Sequence, residues 1–176
     1  GSVNFQLPIT EIEQLGLSLQ VDNTKLKSNA FSSRQLVDFY NSEGFDFNTY
    51  SGQISWSRVT LDRGLFPTNG SRNSISLSLT LPGSNINYGR LIHDFKIFRP
   101  LPLGLVFSYK SRIGALFTYG DTQTAPPYQH FYAGGMRSVR GFKQNYLGPK
   151  AVYNPGYGPS RPRPIGGPYS LSGGFD

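Results

Sequence analysis

Cysteine is absent from the 176 residues, which removes any disulfide framework and any thiolate metal site without fixing the compartment. Histidine occurs only at His93 and His130, too far apart for a histidine-rich metal centre, and each reads as a surface or loop residue. No apolar run is long enough for a transmembrane helix, which needs about 18 residues or more. Acidic residues are missing from Thr122 to Phe175, where six bases occur: Arg137, Arg140, Lys143, Lys150, Arg161 and Arg163. A basic region of this kind needs anions nearby: carboxylates of the same protein, lipid phosphates or nucleic acid. Catalytic patterns are also lacking. There is no Gly-x-Ser-x-Gly elbow and no phosphate loop, Asp62 and Asp94 have no second acid beside them, and Ser138 has no oriented base. An enzyme is not expected, and nothing calls for a cofactor or a metal.

What is present is a strand pattern through most of the chain. Val3, Phe5, Leu7 and Ile9 alternate, and Pro8-Ile9-Thr10-Glu11 reads as a tight turn. Leu15, Leu17, Leu19 and Val21 then share one face. The start, Gly1-Ser2-Val3, runs directly into this pattern, so the chain is expected to be a piece of a longer protein. Residues 32–44 break the period: Ser32 or Ser33 can cap a short helix with Leu36, Phe39 and Tyr40 on one stripe and Gly44 ending it. Strands resume at 46–61, 73–81, 88–99 and 105–118, and Tyr169 opens another. The segment 73–81 is the cleanest, with Ile75, Leu77, Leu79 and Leu81 opposite Ser74, Ser76, Ser78 and Thr80. Between strands, Asp62 to Arg72 forms a compact turn in which Asp62 can pair with Arg63 or Arg72 and Asn69-Gly70 suits positive φ.

These strands are long. About 9–11 tilted residues cross a bilayer, whereas a soluble strand averages about 5–6. One face is apolar with aromatics near its ends (Tyr50, Trp56, Tyr109, Phe117), and the other is small or charged. Links at 8–14, 62–72 and 99–104 are compact and those at 23–45 and 120–168 are long, although 82–87 is short. The combination predicts an all-β, antiparallel transmembrane barrel wall, apolar outside and polar within, rather than a water-soluble sandwich with one wet face.

The stretch Phe131 to Tyr153 is the other organising feature. Gly134, Gly135, Gly148 and Pro149 shape a folded loop, and Val139-Arg140-Gly141-Phe142 stands within it. Arginine is a permanently charged, planar fork suited to a bidentate carboxylate. Its apolar neighbours make Arg140 a side chain expected to insert into something rather than to rest in solvent.

LDRGLFPTNGSR (61–72), PGSN (82–85), FYAGGMRSVRGF (131–142) and LGPKAVY (147–153) together resemble the Omp85 superfamily, and within it the branch of outer-membrane barrel-assembly factors. Val139-Arg140-Gly141-Phe142 alone indicates the superfamily, and the turn carrying Asp62, Arg63, Gly64, Phe66, Pro67 and Gly70 narrows it. The resemblance implies that residues 1–176 are the central part of a 16-stranded barrel, about six to seven strands, with a short helix in one extracellular loop. Residues 62–72 would be a periplasmic turn. Residues 119–168 would be an extracellular loop that folds inward, with the Arg140 tetrad at its tip and Asp176 as the acidic partner. Asp176 is also the only acid after Asp121, which agrees with the electrostatics. Family features without a counterpart here are the periplasmic repeats and the seam strands, and six or seven strands cannot close as a large barrel.

The implied role is folding and inserting barrel proteins into the bacterial outer membrane. The implied partners are nascent outer-membrane proteins, the lipoproteins of the assembly (BAM) complex, and outer-membrane lipid and lipopolysaccharide. The rival readings are a protein-translocation pore of the same superfamily and a porin-like channel, whose constricting loop is usually acidic. Nucleic-acid binding by the basic loop ranks last, and no nucleic-acid partner is expected.

Overall fold

A computed structural model describes residues 1–25, 32–44, 46–136, 138–153 and 163–175. Seven antiparallel strands form one sheet in sequence order: β1 (Ser2–Pro8), β2 (Glu13–Lys25), β3 (Asp46–Val59), β4 (Gly70–Thr80), β5 (Tyr88–Pro100), β6 (Val106–Thr118) and β7 (Tyr169–Phe175). The strands fall within a few residues of where period-two alternation puts them. The five central strands run 11–14 residues, long enough to span a bilayer.

Register carries each face across the sheet. Phe5 pairs with Leu17, Leu17 with Ile54, Ile54 with Leu77, Leu77 with Leu91 and Leu91 with Ala115. One pleat over, Gln6, Gly16, Ser55, Ser76, Ile92, Gly114 and Ser170 form the matching row on the opposite face. The oily face is bare. Val3, Phe5, Leu19 and Val21 are each more than half exposed, and Leu171 is 79% exposed. A water-soluble sandwich would have stacked a second layer there. A single layer that leaves this face open matches a wall whose solvent on that side is hydrocarbon. Aromatics lie on the same face toward both rims: Tyr109 is 6.4 Å from Phe95 and 5.2 Å from Phe175 near one, and Tyr50 and Phe117 stand near the other.

The helix, α1 (Arg34–Glu43), follows the expected stripe and ends at Gly44, whose N–H bonds to Tyr40 O at 2.9 Å. Ser33 occupies the N-cap position, but its hydroxyl makes no cap bond. Its carbonyl accepts from Leu36 N and Val37 N instead. The helix lies over the polar side of the sheet at one end, where Phe39, Tyr40, Phe47 and Ile86 form a compact buried cluster. Apolar burial is therefore concentrated under α1 rather than along the strands.

His93 departs from the sequence reading. It sits in β5 on the oily face, in register with Ile75 and Ile113, and its Nε2 lies 2.8 Å from Asn73 Oδ1. A polar group facing hydrocarbon needs such a partner.

Candidate functional site: the inner wall and its folded loop

The compact links 9–12, 60–69 and 101–105 all fall at one rim, and 26–45, 81–87 and 119–168 at the other. In outer-membrane barrels short turns face the periplasm and long loops the exterior, so α1 and the long loop lie at the outer mouth.

The periplasmic turn is built around one carboxylate. Asp62 accepts from Thr68 Oγ1 at 2.6 Å, Thr68 N at 3.0 Å and Asn69 N at 3.2 Å, and pairs with Arg63 at 3.3 Å. The Thr68 hydroxyl first, helped by the Asn69 and Thr68 backbone N–H groups and Arg63, holds the Asp62 carboxyl well below the usual carboxylate range, against the opposing push of desolvation. Of the two expected partners it takes Arg63. Gly70 supplies the positive φ, +105°, and a Cβ there would stand 2.2 Å from Thr60 O, so the position requires glycine for both angle and space. Phe66 has φ of 52° and is 88% exposed, Pro67 is half-buried, and Gly64 has open space around it.

The polar face bears a row of cations. Arg72 is in register with Lys96, and Lys96 with Lys110. One row further, Asp94 pairs with Arg112 at 3.6 Å. Like charges in adjacent strands oppose pairing, so a wall of this kind suits a wet, anion-attracting interior and not a packed core.

The long loop returns over this face as a narrow ladder. Phe131 and Gly167 exchange backbone hydrogen bonds at 2.9 and 3.0 Å, Leu147 N donates to Ala133 O, and Ala151 N to Arg163 O. Leu116 N of β6 donates to Pro168 O at 2.7 Å, which fastens the end of the loop to the sheet. Gly134 has φ of +110°, and a Cβ would meet Lys143 O at 2.4 Å. Its N–H donates to Ser138 Oγ at 2.8 Å. Gly135 N donates to Val139 O at 3.1 Å, which sets the tetrad at a tight reversal. Gly141 and Gly148 also have positive φ, and Pro149 O accepts from Ile165 N. Arg140 and Phe142 are exposed at the tip. Asp176 lies outside the described residues, and so does its expected pairing with Arg140.

Sequence reasoning missed what ties the loop down. Gln35 of α1 donates to Lys150 O at 3.3 Å and accepts from Val152 N at 3.0 Å, and Arg34 N donates to Val152 O. Glu43, at the other end of α1, accepts from Gln123 N and Thr124 N. Phe39 stacks edge-on against Tyr128, 6.3 Å between centroids. These partners are separated by 80 to 118 residues, and no local spacing signals them. Among the described residues no group of three or more His, Cys, Asp or Glu is placed to hold a metal ion.

Comparison with known proteins agrees with this geometry. The model of the Omp85 superfamily domain matches residues 1–175. The outer membrane protein assembly factor BamA of Neisseria meningitidis is 28% identical over 162 residues, 88% of this chain and 20% of that protein. The crystal structure of BamA from Haemophilus ducreyi lacking POTRA domains 1-3 superposes with a TM-score of 0.83 at 28% identity, covering 99% of this chain and 35% of that one. This chain thus spans about a fifth of the length of the curated relative and about a third of the solved one. The oily single-layer wall, the compact periplasmic turn and the inward-lying loop are those of an outer-membrane β-barrel, and the chain belongs to the Omp85 superfamily.

Proposed function

We propose that this chain forms the wall and internal brace of a machine that folds and inserts β-barrel proteins into the bacterial outer membrane. The observation that carries the reading is the long loop laid over the polar face and fastened at both ends, by Pro168 to β6 and by residues 150–152 to α1. The physical task is set by the bilayer: a nascent strand cannot leave N–H and C=O groups unpaired in hydrocarbon. A barrel that lends a strand edge and perturbs nearby lipid lowers that barrier, provided its own wall does not collapse while the edge is open. Bracing from within meets that condition. Arg140 at the loop tip would donate to Asp176, and Gly134, Gly135 and Gly141 permit the path that takes it there. Nascent outer-membrane proteins, assembly lipoproteins, and outer-membrane lipid with lipopolysaccharide are the proposed partners. The role requires no catalytic step.

The test uses the full-length protein in liposomes, with a urea-denatured small outer-membrane barrel as client. Expected are client folding several-fold faster than in empty liposomes and loss of most of that acceleration in Arg140→Ala. Ion conductance without faster client folding would replace the reading with a porin-like channel. Unchanged client folding and unchanged protease sensitivity of the loop in Arg140→Ala would remove the tetrad from the mechanism.

A further inference from the structure

Three residues on three separate elements meet on the inner wall, at the base of the long loop and away from its tip. Phe131 is only 8% exposed, and its ring centroid lies 4.6 Å from the guanidinium carbon of Arg90 on β5. The edge of the same ring fits over Gly114 on β6, where a Cβ would stand 2.6 Å from Phe131 Cε1 and 2.9 Å from Ser170 Oγ. Gly114 does not have positive φ, so the position needs an absent side chain and not backbone freedom. Arg90 and Gly114 are diagonal neighbours on one face, since Arg90 pairs with Leu116 and Gly114 with Ile92. The Nε of Arg90 is buried without a hydrogen-bond acceptor among the described residues. The π face of Phe131 supplies the negative field that an acceptor would otherwise provide.

We infer that Arg90, Gly114 and Phe131 form a second anchor that holds the base of the long loop on the inner wall, distinct from the Arg140 tip. The glycine leaves a notch, the ring fills it, and the cation is covered by the ring it binds. Each part loses its partner if the loop lifts away. The backbone bonds from Phe131 to Gly167 and from Leu116 to Pro168 set the height at which the ring meets the notch. All three are positioning residues. The inference rests on the placement of the loop and not on the assembly role, and its readout is loop attachment rather than client folding.

The test measures trypsin cleavage of the loop, at Lys143 and Lys150, in the full-length protein in liposomes. Only protein that migrates as folded barrel on unheated gels is scored. Phe131→Leu keeps an apolar side chain without the π face, and Arg90→Met removes the charge at similar length; each is expected to speed cleavage about tenfold. The double variant is expected to be no faster than either single one, because one shared contact is lost. Gly114→Val is expected to speed cleavage in the parent but to change nothing further in a Phe131→Ala background, where no ring occupies the notch. Parental cleavage rates in folded Phe131→Leu and Arg90→Met, or effects that multiply in the double variant, would overturn the anchor. If Gly114→Val does not fold, the Arg90–Phe131 pair decides the matter alone.

Discussion

Gln35 Oε1 accepts a hydrogen bond from Val152 N at 3.0 Å, joining a helix in one outer loop to the far arm of another across 117 residues of chain. The same amide donates to Lys150 O, so one side chain satisfies two backbone groups of a segment that belongs to no sheet. Gln35→Ala is expected to speed hydrogen exchange at the Val152 amide about tenfold, with strand amides unchanged. Mass-spectrometric exchange on the full-length protein measures both at once. Equal protection in parent and variant would show that the loop is held elsewhere.

Gly70→Ala is expected to destabilise the full-length protein by roughly 1–3 kcal/mol, because positive φ and a collision with Thr60 O act together. Gly64→Ala, six residues earlier with open space around it, is expected to stay within about 0.5 kcal/mol of the parent. Urea midpoints of the two variants in liposomes provide the comparison.

The Asp62 carboxyl has a lowered pKa in the folded turn, so its contribution is fully present above the unfolded value near 3.9 and fades as pH falls toward the folded one. The amide resonances of Thr68 and Asn69 are expected to hold their native positions down to about pH 3 and to move only below it. Movement centred near pH 4 would mean that Asp62 is not the hub of the turn.

Adjacent residues of β4 separate the two faces. Leu77 lies on the oily row with Ile54 and Leu91, and Ser76 on the polar row with Ser55 and Ile92. Leu77→Arg is expected to cost roughly 2–4 kcal/mol at mid-bilayer, and Ser76→Arg far less. Similar costs for the two would contradict the assignment of lipid to the open face.

Much of this was legible in the sequence. The strict alternation of Ser74 to Leu81 fixes both strand and facing, since a slip of one residue would turn Leu77 and Leu79 to the polar side. The Leu36, Phe39 and Tyr40 stripe gave the helix, and the crowding of glycine around Arg140 gave a shaped loop. What stayed hidden were contacts whose partners lie far apart in the chain. Gln35, Glu43, Arg90 and Phe131 each look unremarkable locally, and their roles depend on the height at which the loop crosses the sheet. His93 was misplaced for a related reason: a single polar residue in an apolar row reads as surface until its neighbour Asn73 is known.

The fastening of α1 to the long loop makes the two a single mechanical piece. Tension applied to the helix from its outer side would reach a segment whose root is seated on the inner wall at Phe131. Events at the cell surface thus have a handle on the interior of the barrel, with no need to deform the sheet between them.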